Sequence, residues 1–189
     1  MRRKTMIWTL VMMTICFITA AGLVVSQLQR SEPSPEFVQA ITELDTPEKL
    51  QSYMEEHFIL DRSHIGSPAY SPEEFFYEKR GDVRDFCVFS SYVLEQHGYE
   101  AKILWFIYTS DGFGKDWDSV TLFNDKDGSL RYMKLWEYDE DTTTFRIFEV
   151  ESLEDLLAQV EKLINCRIIE HGLLPAGSTS FTGVSFRSY

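Results

Sequence analysis

No charged residue occurs from Thr5 to Gln29, and Arg2, Arg3 and Lys4 stand directly in front of that run. A stretch of this length crosses a hydrocarbon core of about 30 Å as a helix. The chain therefore divides into an apolar leader, residues 1–30, and a body that must fold without it. The cationic flank predicts an N-terminus kept inside the cell and a body outside, a single-pass extracytoplasmic arrangement. The alternative is secretion after cleavage, because Thr19-Ala20-Ala21 and Val24-Val25-Ser26 offer small residues to a signal peptidase. The uncharged run is long for a secretory core, which favours the retained transmembrane anchor. Cys16 follows Thr14-Ile15 rather than small residues, which argues against a lipid attachment site.

The whole chain of 189 residues carries 18 lysines and arginines against 30 aspartates and glutamates, a formal net charge of −12. All four cations of the leader (Arg2, Arg3, Lys4 and Arg30) lie outside the body, whose charge is thus −16. Such a surface repels phosphates, so nucleic acid is excluded as a partner and the membrane is reached through the leader alone. An aromatic content of 14% rules out disorder throughout, and three cysteines cannot staple a chain of this size.

Ser31 to Pro35 reads as a linker, residues 36–174 as one domain, and residues 175–189, rich in Gly, Ser and Thr, as a loosely ordered tail. Thr46-Pro47 starts a helix with Leu50, Tyr53, Met54 and Phe58 at helical spacing. Ser71-Pro72-Glu73-Glu74 combines a cap, a proline and a glutamate placed to reach back to the cap. Asp82 caps a helix from Val83 to His97, which Gly98 ends. The pattern then becomes strand-like: Lys102 to Thr109 as a central strand, Trp117 to Phe123, a hairpin through Asn124–Gly128 into Leu130 to Trp136, and Phe145 to Val150. Ser152-Leu153-Glu154-Asp155 opens an amphipathic helix. Helices ahead of antiparallel strands and a last helix define an α+β domain, its N-terminal helices packed on an antiparallel sheet.

The blocks Pro72-Glu73-Glu74-Phe75-Phe76, Gly81-Asp82-Val83-Arg84-Asp85-Phe86-Cys87, Tyr92-Val93-Leu94 and Gly98-Tyr99-Glu100-Ala101 resemble the bacterial and archaeal branch of the transglutaminase-like superfamily, whose fold is related to papain-type cysteine proteases. Asp118-Ser119-Val120 and Asp127-Gly128 match a further, weaker element, so the likeness spans about residues 71–135. It implies a nucleophilic cysteine in the first turn of the long helix, where the helix terminus favours a thiolate. Val83 stands there. The implied histidine falls on Asp118, and the third member of the triad falls near Met133, with Glu137 and Asp139 just beyond. Acyl transfer of the family type is therefore not expected, and no catalytic residue is assigned.

Two residues keep an enzyme reading open. Cys87 lies one turn beyond Val83 on the same helix face, and His64 is the one histidine in an irregular segment, Asp61 to Tyr70, that can turn toward a cleft. Against a displaced Cys87 nucleophile with His64 as base stand two other readings: a small buried filler, and a disulfide to Cys166. As a binding site, Trp105, Phe113 and Trp117 would line a groove for a peptide or glycan, ringed by Asp82, Asp85, Asp116 and Asp118 for a cationic ligand. No histidine has metal-ligand spacing to another His or Cys, and Asp125–Ser129 lacks calcium-loop spacing, so no metal or cofactor is expected. An envelope protein is the remaining kind of partner.

Overall fold

The computed structural model describes residues 32–110, 114–138 and 142–181. The expected membrane span lies outside them; among the described residues no helix is long and apolar enough to cross a membrane. A compact unit begins at Pro35.

Two helices, α1 (Pro35–Glu43) and α2 (Pro47–His57), lead into a two-residue strand β1 (Ile59–Leu60), a 3-10 turn over Arg62–His64 and helix α3 (Pro72–Glu78). Strand β2 (Arg80–Gly81) pairs in parallel with β1 and delivers the chain to the long helix α4 (Val83–Gln96). Then follow β3 (Glu100–Thr109), β4 (Lys115–Asn124), β5 (Leu130–Tyr138), β6 (Thr143–Val150), helix α5 (Leu153–Ile164) and β7 (Arg167–Pro175). The five long strands form one sheet in the order β6-β5-β4-β3-β7, every neighbouring pair antiparallel. This is the expected α+β class. Strand β7, which closes the free side of β3, was not expected: Arg167, Glu170, His171 and Gly172 interrupt the apolar alternation that marks a strand, as suits an edge.

The caps form as their residues dictate. Ser71 accepts from Glu74 N while Glu74 accepts from Ser71 N, and Asp82 and Asp85 make the equivalent reciprocal pair at the start of α4. Gly81 has no alternative, because a Cβ there would lie 2.4 Å from the Asp85 carboxylate. At α5, Ser152 accepts from Asp155 N at 3.1 Å. Ser152→Ala should therefore cost about 1 kcal/mol, a fall in melting temperature of about 2–4 °C by calorimetry. An unchanged transition would show that the Asp155 N–H is satisfied by solvent.

The sheet buries both faces. On one, α4 packs with α2 and α3 around an aromatic nucleus in which Phe58 meets Phe75 at 4.5 Å and Phe89 at 5.0 Å between ring centres. On the other, α5 sets Leu156 and Val160 against Leu104, Phe106, Val120 and Tyr132. Burial of these side chains at roughly 25 cal/mol per Å² is the main drive for the fold. It also assigns each strand position to one face.

Candidate functional site

Helix α4 begins inside the second matched block, Gly81 to Cys87, and its first turn is tightly furnished. Arg84 N donates to Asp82 Oδ1 at 2.8 Å, and the Arg84 guanidinium, 3% exposed, closes an ion pair on the same carboxylate. That guanidinium also lies 5.5 Å from the Trp117 ring, tying the helix start to β4. Asp85 is fully buried. Its Oδ1 accepts from Tyr70 N and its Oδ2 from Asp82 N, both at 2.7 Å. Asp82 and Asp85 are thus turned inward and saturated, so they do not ring a cleft with negative charge as the sequence suggested.

Burial raises the Asp85 carboxyl to about 6, with the Asp82 charge adding to the rise and the Tyr70 and Asp82 N–H groups opposing it. His64 stands over this pair. Its Nε2 is 3.0 Å from Pro68 O and 3.6 Å from Asp85 Oδ2, and its ring stacks on Tyr70 at 4.2 Å. The segment 61–70 is in this way fastened to the start of α4.

Immediately beneath, a small pocket opens between α4 and the sheet. Val83, Cys87 and Ser90 line it from the helix, Ser119, Thr121 and Met133 from the strands, and Phe86, Leu135 and Phe145 complete its wall. Ser90 Oγ and Thr121 Oγ1 are hydrogen-bonded at 2.6 Å. Ser119 Oγ is buried there, beside the Cys87 thiol. Cys87 is 5% exposed, and burial pushes its thiol up to about 12, with the neighbouring Ser119 and Thr121 hydroxyls opposing more weakly. No hydrogen bond among the described residues joins Cys87 to a histidine. Cys87 and Cys166 are both free thiols.

Asp118, matched to the family histidine, is next to this pocket in sequence but not in it. The alternation that turns Ser119 and Thr121 toward α4 turns Asp118 and Val120 toward α5. There Asp118 makes an ion pair with Lys134, a residue only 6% exposed. The side chain facing the helix is its neighbour Ser119, a residue the motif comparison passes over and strand alternation would have found. Met133, where the third triad member was expected, does line the pocket. Asp139 and the side chain of Glu137 lie outside the described residues.

Trp105 and Trp117 share the α4 face with Ser119, since Trp105 pairs with Ser119 and Trp117 is two residues away along β4. Both are half-buried. Asp116 is exposed at the strand end and accepts from the Tyr108 hydroxyl. Phe113 lies outside the described residues. Among those residues no group of three or more His, Cys, Asp or Glu is placed to hold a metal ion. Asp125–Ser129 forms an ordinary hairpin turn, with Gly128 N donating to Asp125 O at 2.9 Å.

The fold and this pocket define the class: a mixed α+β domain whose long helix abuts an antiparallel sheet with its N-terminus beside a pocket. Among solved structures, the chain is similar to LapG of Legionella pneumophila in calcium-bound form, at 15% identity and a TM-score of 0.43 over 79% of this chain and 80% of that one. The EGTA-treated form gives 16% identity and a TM-score of 0.42 over 79% and 77% of the two chains. No family model matches the sequence. No curated protein matches it either.

Proposed function

We propose that this chain is a membrane-anchored, extracytoplasmic transglutaminase-like domain without catalytic activity, serving as a binding or scaffolding module. The observation that carries the reading is Val83. It lines the pocket at the first turn of α4, where the resemblance calls for a sulfur, and an isopropyl group neither attacks a carbonyl nor gives up a proton. The surroundings agree. The pocket wall holds Met133 and Leu135 and no imidazole. Cys87 as a displaced nucleophile is disfavoured, because a thiol raised to about 12 is almost wholly protonated at neutral pH. The half-buried Trp105 and Trp117 remain as the contact surface, and the uncharged run behind Arg2, Arg3 and Lys4 supports the anchor.

The purified full-length chain should show no thiol-dependent hydrolysis or amine transfer on peptide and glutaminyl substrates. Turnover that Cys87→Ser abolishes would replace this reading with that of a cysteine hydrolase. Fractionation tests the anchor separately: the chain should stay with membranes in high salt, and protease added to intact cells should remove the body.

A further inference from the structure

After β7 the chain does not leave the domain. Gly177 N donates to Ser91 Oγ at 3.0 Å, and Ser178 N donates to Pro175 O at 3.2 Å. A Cβ on Gly177 would meet the Tyr92 ring at 3.2 Å, so the strap lies close against α4. Four residues on, Phe181 is 8% exposed and packs in a cluster with Ala69, Cys87, Val88 and Ile103, with Trp105 against it. The segment thus runs along α4 from Ser91 toward Cys87, in the direction of the helix N-terminus. It belongs to no helix or strand, and one buried aromatic ring is its main apolar anchor.

We propose that Ala176–Phe181 is a cis-bound peptide that masks a recognition socket beside the pocket, and that the module's ligand is an extended, uncharged peptide bearing an aromatic side chain. The proposal rests on the binding-module reading and names the ligand class and the regulation of that site. The socket's composition carries the specificity. Ala69, Cys87, Val88, Ile103 and Trp105 offer apolar surface and no charge, and the strap, Ala176-Gly177-Ser178-Thr179-Ser180-Phe181, is itself uncharged. A cationic ligand is not what this surface selects. Tethering supplies the rest: a short linker holds its ligand at an effective concentration of about 1 mM, so a socket of weak intrinsic affinity is still filled in cis. A partner presenting the same chemistry with further contacts then displaces the strap. Cys87, beneath Phe181, reports the displacement.

The test uses the full-length chain with Cys16→Ser and Cys166→Ser, leaving Cys87 as the single thiol. Phe181→Ala should raise the rate of Cys87 alkylation by about tenfold or more, since the sulfur then reacts through local opening rather than global unfolding. That rate should be insensitive to low urea. A synthetic Ala176–Phe181 peptide at about 1 mM should slow it again. An unchanged rate in the folded variant overturns the proposal, as does a rate that follows the global urea transition. A peptide without effect overturns the ligand class. Turnover in the activity assay would overturn the binding-module reading while leaving these rates as they are.

Discussion

Asp85→Ala is expected to destabilise the domain by about 3 kcal/mol, by leaving two inward-pointing N–H groups without an acceptor at about 1–3 kcal/mol each. Those groups are Tyr70 N and Asp82 N, each 2.7 Å from one carboxylate oxygen. The loss is offset in part, because the carboxylate is itself costly to keep ionised at full burial. For a domain of this size the melting temperature should fall by about 6–12 °C. Asp85→Asn keeps one acceptor and sets an amide N–H against the other donor, so its cost is smaller. The pH dependence separates the contributions. With its folded carboxyl raised to about 6, above the usual carboxylate value, Asp85 holds its proton more tightly folded than unfolded. The resulting stabilisation is complete below the unfolded pKa of about 4 and is lost as pH rises through 6. Asp85→Asn lacks this slope, so its deficit relative to the parent should widen between pH 7.5 and 5 in urea titrations. A deficit that narrows on acidification would mean that the N–H groups and His64 hold Asp85 in its ionised form.

Much of this arrangement was legible in the residues themselves. Caps are local chemistry, so Thr46-Pro47, Ser71-Pro72, Asp82 and Ser152 each marked a helix start that the structure contains. The strands from Lys102 to Val150 announced themselves by β-branched and aromatic runs. What escaped depended on faces and on contacts distant in sequence. A motif comparison aligns letters, and a shift of one position along a strand moves a side chain to the other side of the sheet. Asp118 was for that reason read into a cleft that Ser119 faces. Asp82 and Asp85 look like surface acids in a list of charges; only the folded first turn of α4 reveals that backbone donors and Arg84 consume them. Strand β7 and the anchoring of Phe181 rest on pairing with β3 and packing on α4, neither of which leaves a periodic trace in a segment rich in Gly, Ser and charged residues.

The same shift leads to the second large effect, at the Asp118–Lys134 pair. Both side chains are mostly buried, 17% and 7% exposed, and they face α5 rather than α4. Taking two charges out of water is repaid only by their mutual attraction, so removing one partner strands the other. Lys134→Met should therefore destabilise the domain by about 3–4 kcal/mol, and Asp118→Asn by a comparable amount. Replacing both together, Lys134→Met with Asp118→Leu, should come close to the parent, since an apolar pair of similar volume carries no desolvation cost. The coupling between the two sites, read from urea unfolding of the parent, Lys134→Met, Asp118→Leu and the double variant, should approach the sum of the two single losses and be nearly independent of salt, because a buried pair is poorly screened. This pattern distinguishes a structural ion pair from an anion kept for a ligand. If Asp118 were reserved for a cationic partner, Lys134→Met would leave the stability unchanged and free the carboxylate, and the two substitutions would add without coupling.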